Sequence, residues 1–136
     1  MTKETYQHKI LIVEDEEVML NAIADNLALA GFKNVFRARN GEDGLALALR
    51  ENPDLILLDI VMPKMDGMTM LDALRKDDHG KNMKVILLTN LTADDSIMTG
   101  VVKNIPSYYI VKTDYSIDDV IRKVKVTLGI VPVTNQ

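Results

Sequence analysis

The chain has 136 residues, 47% of them hydrophobic and 26% charged, with a formal net charge of −4 and no cysteine. This suits one soluble domain with a core large enough to need no covalent staple, and it excludes a disulfide scaffold or a cysteine-based zinc site. The negative balance offers no general footprint for direct nucleic-acid binding, and no apolar run reaches the length needed for membrane insertion.

Residues 1–8 are polar, lack the apolar region of a signal peptide and are expected to form a flexible arm, so a cytoplasmic protein is the plain expectation. Ile10, Leu11, Ile12 and Val13 make a continuous apolar run, expected as strand β1, which ends directly on Glu14-Asp15. Met19, Ile23, Leu27 and Ala30 recur at helical spacing as α1, and Gly31 is a natural stop. Val35 and Phe36 suit a short edge strand, β2. Asn40-Gly41 opens α2, marked by Leu45, Ala48 and Leu49.

A second apolar run, β3 over residues 55–58, ends on Asp59, and Met70, Leu71 and Leu74 mark α3. The methionines at 62, 65, 68 and 70 are expected as packing filler. The polar loop over residues 77–82 carries His79, expected to be exposed like His8 in the amino-terminal arm. A third run, β4 over residues 85–88, ends on Thr89. Thr92-Ala93-Asp94-Asp95 opens α4, marked by Ile97, Met98, Val101 and Val102. Strand β5 over residues 108–111 ends on Lys112. Ser116-Ile117-Asp118-Asp119 opens α5, which continues through Val120, Ile121, Val124 and Leu128. The starts of α4 and α5 have the form of a capping box with aspartate in place of glutamate. The domain is thus expected over residues 9–129, with a loose tail over 130–136.

Continuous apolar runs, rather than alternating ones, belong to strands covered on both faces. Five β-α units in strict alternation therefore predict a doubly wound, five-stranded parallel sheet with five helices and right-handed crossovers. Periodicity alone does not give the strand order. In such a sheet the carboxyl ends of the strands converge on one crevice, where ligands bind. An acid pair, an aspartate, a hydroxyl and an amine stand at those ends here. Two unit charges about 4 Å apart repel by about 4 kcal/mol at an effective dielectric near 20, so three carboxylates in one cleft call for a cation. Few carboxylates, room for water and a phosphate ligand favour Mg²⁺ over Ca²⁺.

Taken together, Glu14-Asp15, Asn40-Gly41-Glu42, Asp59 with Met62-Pro63 and Asp66-Gly67, then Thr89, Tyr109 and Lys112, resemble a response regulator receiver domain, the phosphoacceptor module of two-component signalling. The resemblance runs from about residue 9 to residue 128. It implies a flavodoxin-like fold with strand order 2-1-3-4-5, an order for which a member of this family serves as a general illustration. It implies that Asp59 takes a phosphoryl group from a phosphohistidine, donated by a histidine kinase or a histidine phosphotransfer protein. Asp15 and Asp59 would ligate Mg²⁺ directly, Glu14 through water, and Val61 through its backbone carbonyl. Lys112 and the Thr89 hydroxyl would contact phosphoryl oxygens, and Thr89 and Tyr109 would form the switch that alters the α4-β5-α5 surface for a downstream protein target. Val61, Asn90 and Leu91 would set how long the phosphoryl group survives. A monomer or weak dimer is implied.

Three positions depart from the family pattern. Thr113 follows Lys112 where proline is usual, so a trans peptide is expected there. Asn90 replaces the small residue usual after the switch threonine, and Ile105-Pro106-Ser107 stands where a Gly-Ala pair is common. Other readings fare less well. Aspartate-nucleophile phosphohydrolases need a second acid two residues after the nucleophile, where this chain has Val61. A flavin carrier needs a hydroxyl-rich phosphate loop after β1, where Glu14-Asp15-Glu16-Glu17 would repel the phosphate. A degenerate receiver serving only as an interaction scaffold is opposed by the intact Glu14, Asp15, Asp59, Thr89 and Lys112. The expectation is therefore a phosphoacceptor and not a turnover enzyme.

Overall fold

The computed structural model describes residues 4–60, 65–89, 108–111 and 116–131. Its five strands are β1 (Tyr6–Val13), β2 (Phe32–Ala38), β3 (Leu55–Asp59), β4 (Lys84–Thr89) and β5 (Tyr108–Val111). They form one sheet in the order β2-β1-β3-β4-β5, and every neighbouring pair is parallel. Four helices are described: α1 (Glu17–Leu29), α2 (Gly41–Glu51), α3 (Gly67–Lys76) and α5 (Ile117–Thr127). The residues expected to form α4 lie outside the described residues. The strand order that periodicity could not supply is the one the family resemblance implied.

The continuous apolar runs are explained by two cores on opposite faces of the sheet. Ile10, Ile12, Leu55, Leu57, Ile86 and Leu88 pack with Leu20, Ile23 and Leu27 of α1 and Val120 and Val124 of α5. Their immediate neighbours Leu11, Val13, Ile56, Leu58, Val85 and Leu87 pack on the other face with Ala48 of α2 and Met70, Leu71 and Leu74 of α3. Successive strand side chains point to opposite faces, so a strand buried on both sides must be apolar at every position. Met65 and Met68 pack partly buried against the second core and Met70 is fully buried within it, as expected of filler; Met62 lies outside the described residues.

Two strands run several residues beyond their apolar runs. β1 begins at Tyr6, so part of the expected flexible arm is paired with β2, with Tyr6 opposite Phe32. His8, expected to be exposed, is half-buried; its ring lies 6.5 Å from that of Phe32 in an edge-on arrangement, and its Nδ1 is buried with no hydrogen-bond partner among the described residues. β2 extends over seven residues because an edge strand keeps polar side chains wherever it faces solvent. Gly31 ends α1 as expected, with φ +108°, and a side chain there would strike the Glu4 carbonyl oxygen. Ser116 and Asp119 form the reciprocal capping box anticipated for α5. The start expected for α4 lies outside the described residues. No helix among the described residues is long and apolar enough to cross a membrane.

Candidate functional site

Parallel, in-register strands decide what meets at their carboxyl ends. Val13 of β1 is level with Leu58 of β3, so the next residues, Glu14 and Asp59, emerge side by side. One oxygen from each of Glu14, Asp15 and Asp59 lies within 4.8 Å of the others. Glu14 is fully buried and Asp59 is 4% exposed, whereas Asp15 is half-buried. The Glu16 amide donates to Glu14 Oε2 at 3.3 Å, and the Glu14 amide donates to the Ala38 carbonyl at 3.0 Å, which ties the acidic turn to β2.

The loops around the cluster are held by two glycines at helix starts. Gly67 opens α3 and donates its amide to the Ile60 carbonyl at 2.7 Å. A β-carbon at Gly67 would sit 2.0 Å from the Asp59 carbonyl oxygen, so only glycine lets α3 approach the end of β3 this closely. Gly41, the first residue of α2, donates to the Met65 carbonyl at 2.8 Å, and a β-carbon there would overlap that same oxygen. The preceding residues cap both helices. Asn40 accepts from the Asp43 amide and Asp66 from the Thr69 amide, each at 2.8 Å. These contacts tie α3 to Ile60, directly after Asp59, and α2 to Met65.

Of the other expected site residues, Thr89 ends β4 opposite Val111, and Tyr109 of β5 is level with Leu87. Asp59 is level with Leu88, so Thr89 stands one step beyond it on the adjacent strand. Lys112, Thr113, Val61, Asn90 and Leu91 lie outside the described residues, as does the Ile105-Pro106-Ser107 segment. Asn40-Gly41 opens α2 as expected, whereas the helix start at Asp66-Gly67 and the close contacts that require both glycines were not anticipated. The signal available was an Asp or Asn directly before glycine at a helix start.

The donor set fits a small hard cation. Three carboxylates from two strand ends could supply oxygen ligands, and so small a carboxylate set, with Asp15 the least buried of the three, suits Mg²⁺.

Comparison with known proteins agrees with this geometry. A sequence model described as "Response regulator receiver domain" matches residues 10–125. The DNA-binding dual master transcriptional regulator RpaA of Synechocystis sp. is 40% identical over 83 residues, 61% of this chain and 34% of that protein. The polar-differentiation response regulator DivK of Brucella anthropi is 36% identical over 80 residues, 59% of this chain and 64% of that one. The alignment thus spans about a third of RpaA and less than two thirds of DivK. Among solved structures, the CheY-like response regulator receiver domain protein from Methanospirillum hungatei superposes with a TM-score of 0.82 at 28% identity, over 91% of this chain and 95% of that one. The match over residues 10–125 takes in most of the sequence, and this protein belongs to the response regulator receiver domain family.

Proposed function

We propose that this receiver domain is an active phosphoacceptor, with Asp59 as the residue that carries the phosphoryl group. The observation that carries the reading is the meeting of Glu14, Asp15 and Asp59 within 4.8 Å, at the carboxyl ends of two adjacent strands. A carboxylate oxygen of Asp59 attacks phosphorus as the P–N bond of a phosphohistidine breaks, giving an aspartyl phosphate and returning the electron pair to the imidazole nitrogen. Glu14 and Asp15, with Asp59 and the Val61 carbonyl, would hold Mg²⁺, which supplies charge neutralisation at the transferring group when bound. Lys112 and Thr89 contact the phosphoryl oxygens, and Thr89 and Tyr109 carry the change to the α4-β5-α5 surface. The donor is a histidine kinase or histidine phosphotransfer protein, and the output is contact with a downstream protein target in the cytoplasm. The domain turns over no external substrate.

Intact-mass analysis with a small acyl-phosphate donor tests this reading. One phosphoryl group on wild type, dependent on Mg²⁺ and absent from Asp59→Asn, is the expected result. No labelling under any condition would leave a scaffold that works without phosphorylation, and equal labelling of the variant would move the site elsewhere.

Lifetime follows from the side chains beside the path of attacking water. Neither Val61 nor Leu91 can orient that water by hydrogen bonding, while Asn90 sits beside the switch threonine in sequence. Positioned acid-base assistance is typically worth about 10²–10⁴-fold, and its absence here leads to a long-lived aspartyl phosphate. Val61→Asn with Leu91→Glu is expected to shorten the lifetime several-fold. A wild type that resets within seconds, with no effect of the double change, would refute the assignment.

A further inference from the structure

On the side of the fold beyond α2, an open groove of about 470 Å³ is lined by Arg37, Arg39, Asp43, Ala46, Leu47 and Arg50. Three of the chain's five arginines thus meet in one place on a protein whose formal net charge is −4. All three are exposed. Arg37 donates to the Asn21 side-chain oxygen at 3.0 Å, and Arg39 to the Asp15 carbonyl at 3.4 Å, both neutral acceptors. Among the described residues, neither has a carboxylate at ion-pair distance. Arg50 shares Glu51 with Lys9, at 3.1 and 3.6 Å respectively. The lining carboxylate, Asp43, is turned to its own helix cap, where its Oδ2 accepts from Asn40 Nδ2 at 3.0 Å. The groove is therefore positive, with most guanidinium donors uncommitted.

Its shape and lining narrow the choice of anion. Among the described residues no aromatic side chain lines it, so none of these offers a stacking platform for a nucleobase. Arg37 and Ala38 belong to β2, which among the described residues is an outer strand of the sheet paired with β1 alone. An edge strand with flanking arginines can take an extended chain alongside it, with acidic side chains met by guanidinium forks. We propose that the β2-α2 groove is a docking site for an acidic segment of a partner protein, read by Arg37, Arg39 and Arg50. The inference does not depend on phosphorylation of Asp59.

Titration of isotope-labelled protein with a short acetylated and amidated peptide of alternating glutamate and serine, followed by amide NMR, tests the proposal. Shifts concentrated at residues 37–39 and 43–50, with affinity that falls as salt rises, are expected. Arg37→Glu with Arg39→Glu should weaken the peptide by about tenfold or more. If that variant does not fold, Arg37→Lys with Arg39→Lys serves instead; it keeps the charge, loses the forked geometry and should weaken binding measurably. Three results would overturn the proposal: no shifts at the groove, equal affinity in a folded variant, or binding of pyrophosphate or a single-stranded oligonucleotide at least as tight as the peptide.

Discussion

The two ends of the sheet use the same kinds of residue to opposite effect. At the amino-terminal ends of the strands, an open cleft of about 480 Å³ is lined by His8, Asp54, His79, Asn82 and Lys84 among others. There Asp54, Lys84 and His79 find complementary neighbours, although His8 Nδ1 finds none among the described residues. Asp54 accepts from the Lys9 amide at 2.7 Å, Lys84 Nζ donates to the Thr127 carbonyl at 3.1 Å, and His79 Nδ1 faces Asp77 Oδ1 at 3.4 Å. At the carboxyl ends, carboxylates are gathered against one another, two of them buried, and held by helix starts that admit no side chain. Giving each polar group a complementary partner is what a stable surface does by default. Gathering of like charges in a buried cleft works against stability unless other groups offset it, and such clusters are candidates for functional sites.

The largest expected effect probes the tightness of the functional end. Gly67→Ala places a β-carbon on the Asp59 carbonyl oxygen and should cost more than about 3 kcal/mol in urea unfolding. Asp54→Asn, at the opposite end, keeps an oxygen to accept from Lys9 and should change stability by less than about 0.5 kcal/mol. Similar losses for both would erase the contrast between the two ends.

A smaller effect is expected at Arg75, which holds the loop at the amino-terminal end by donating to the Gly80 and Met83 carbonyls at 2.9 and 2.8 Å. Its guanidinium is partly buried, which pushes its pKa below the ordinary arginine value, and it stays charged across the usable pH range. Arg75→Ala strands those carbonyls and should cost about 1–3 kcal/mol. A cost below about 0.5 kcal/mol would show that the loop holds itself.

How much of this was legible in the sequence depends on how far a residue's role is set by its immediate neighbours. The runs at residues 10–13, 55–58 and 85–88 announced buried parallel strands because two-sided burial leaves no polar alternation. Asp59 was legible because a charged residue directly after such a run must sit at a strand end. Ser116 and Asp119 were legible because a capping box is local. The full extent of β2 was not, since Lys33, Asn34 and Arg37 look like loop residues until the single-sided pairing of an edge strand is known. His8 was misread for a similar reason: its burial comes from Tyr6 and Phe32, and Phe32 lies on another strand. The need for glycine at Gly67 and Gly41 arises from contacts with Asp59 and Met65, which only the folded chain brings near.

If the carboxylates at the ends of β1 and β3 are placed for a divalent cation, they should cost stability when none is bound. Thermal melts of wild type and Asp15→Asn, each with and without Mg²⁺, test it most directly. Asp15 is the half-exposed member, so its change to asparagine removes a charge with little disturbance of packing. Without Mg²⁺ the variant should be the more stable by about 1 kcal/mol, through relief of like-charge repulsion, and by less at high salt. With Mg²⁺ the wild type should rise by several degrees, by mass action on the folded state, and the variant by much less. Equal melting temperatures for the two proteins, with no response of either to Mg²⁺, would contradict the account.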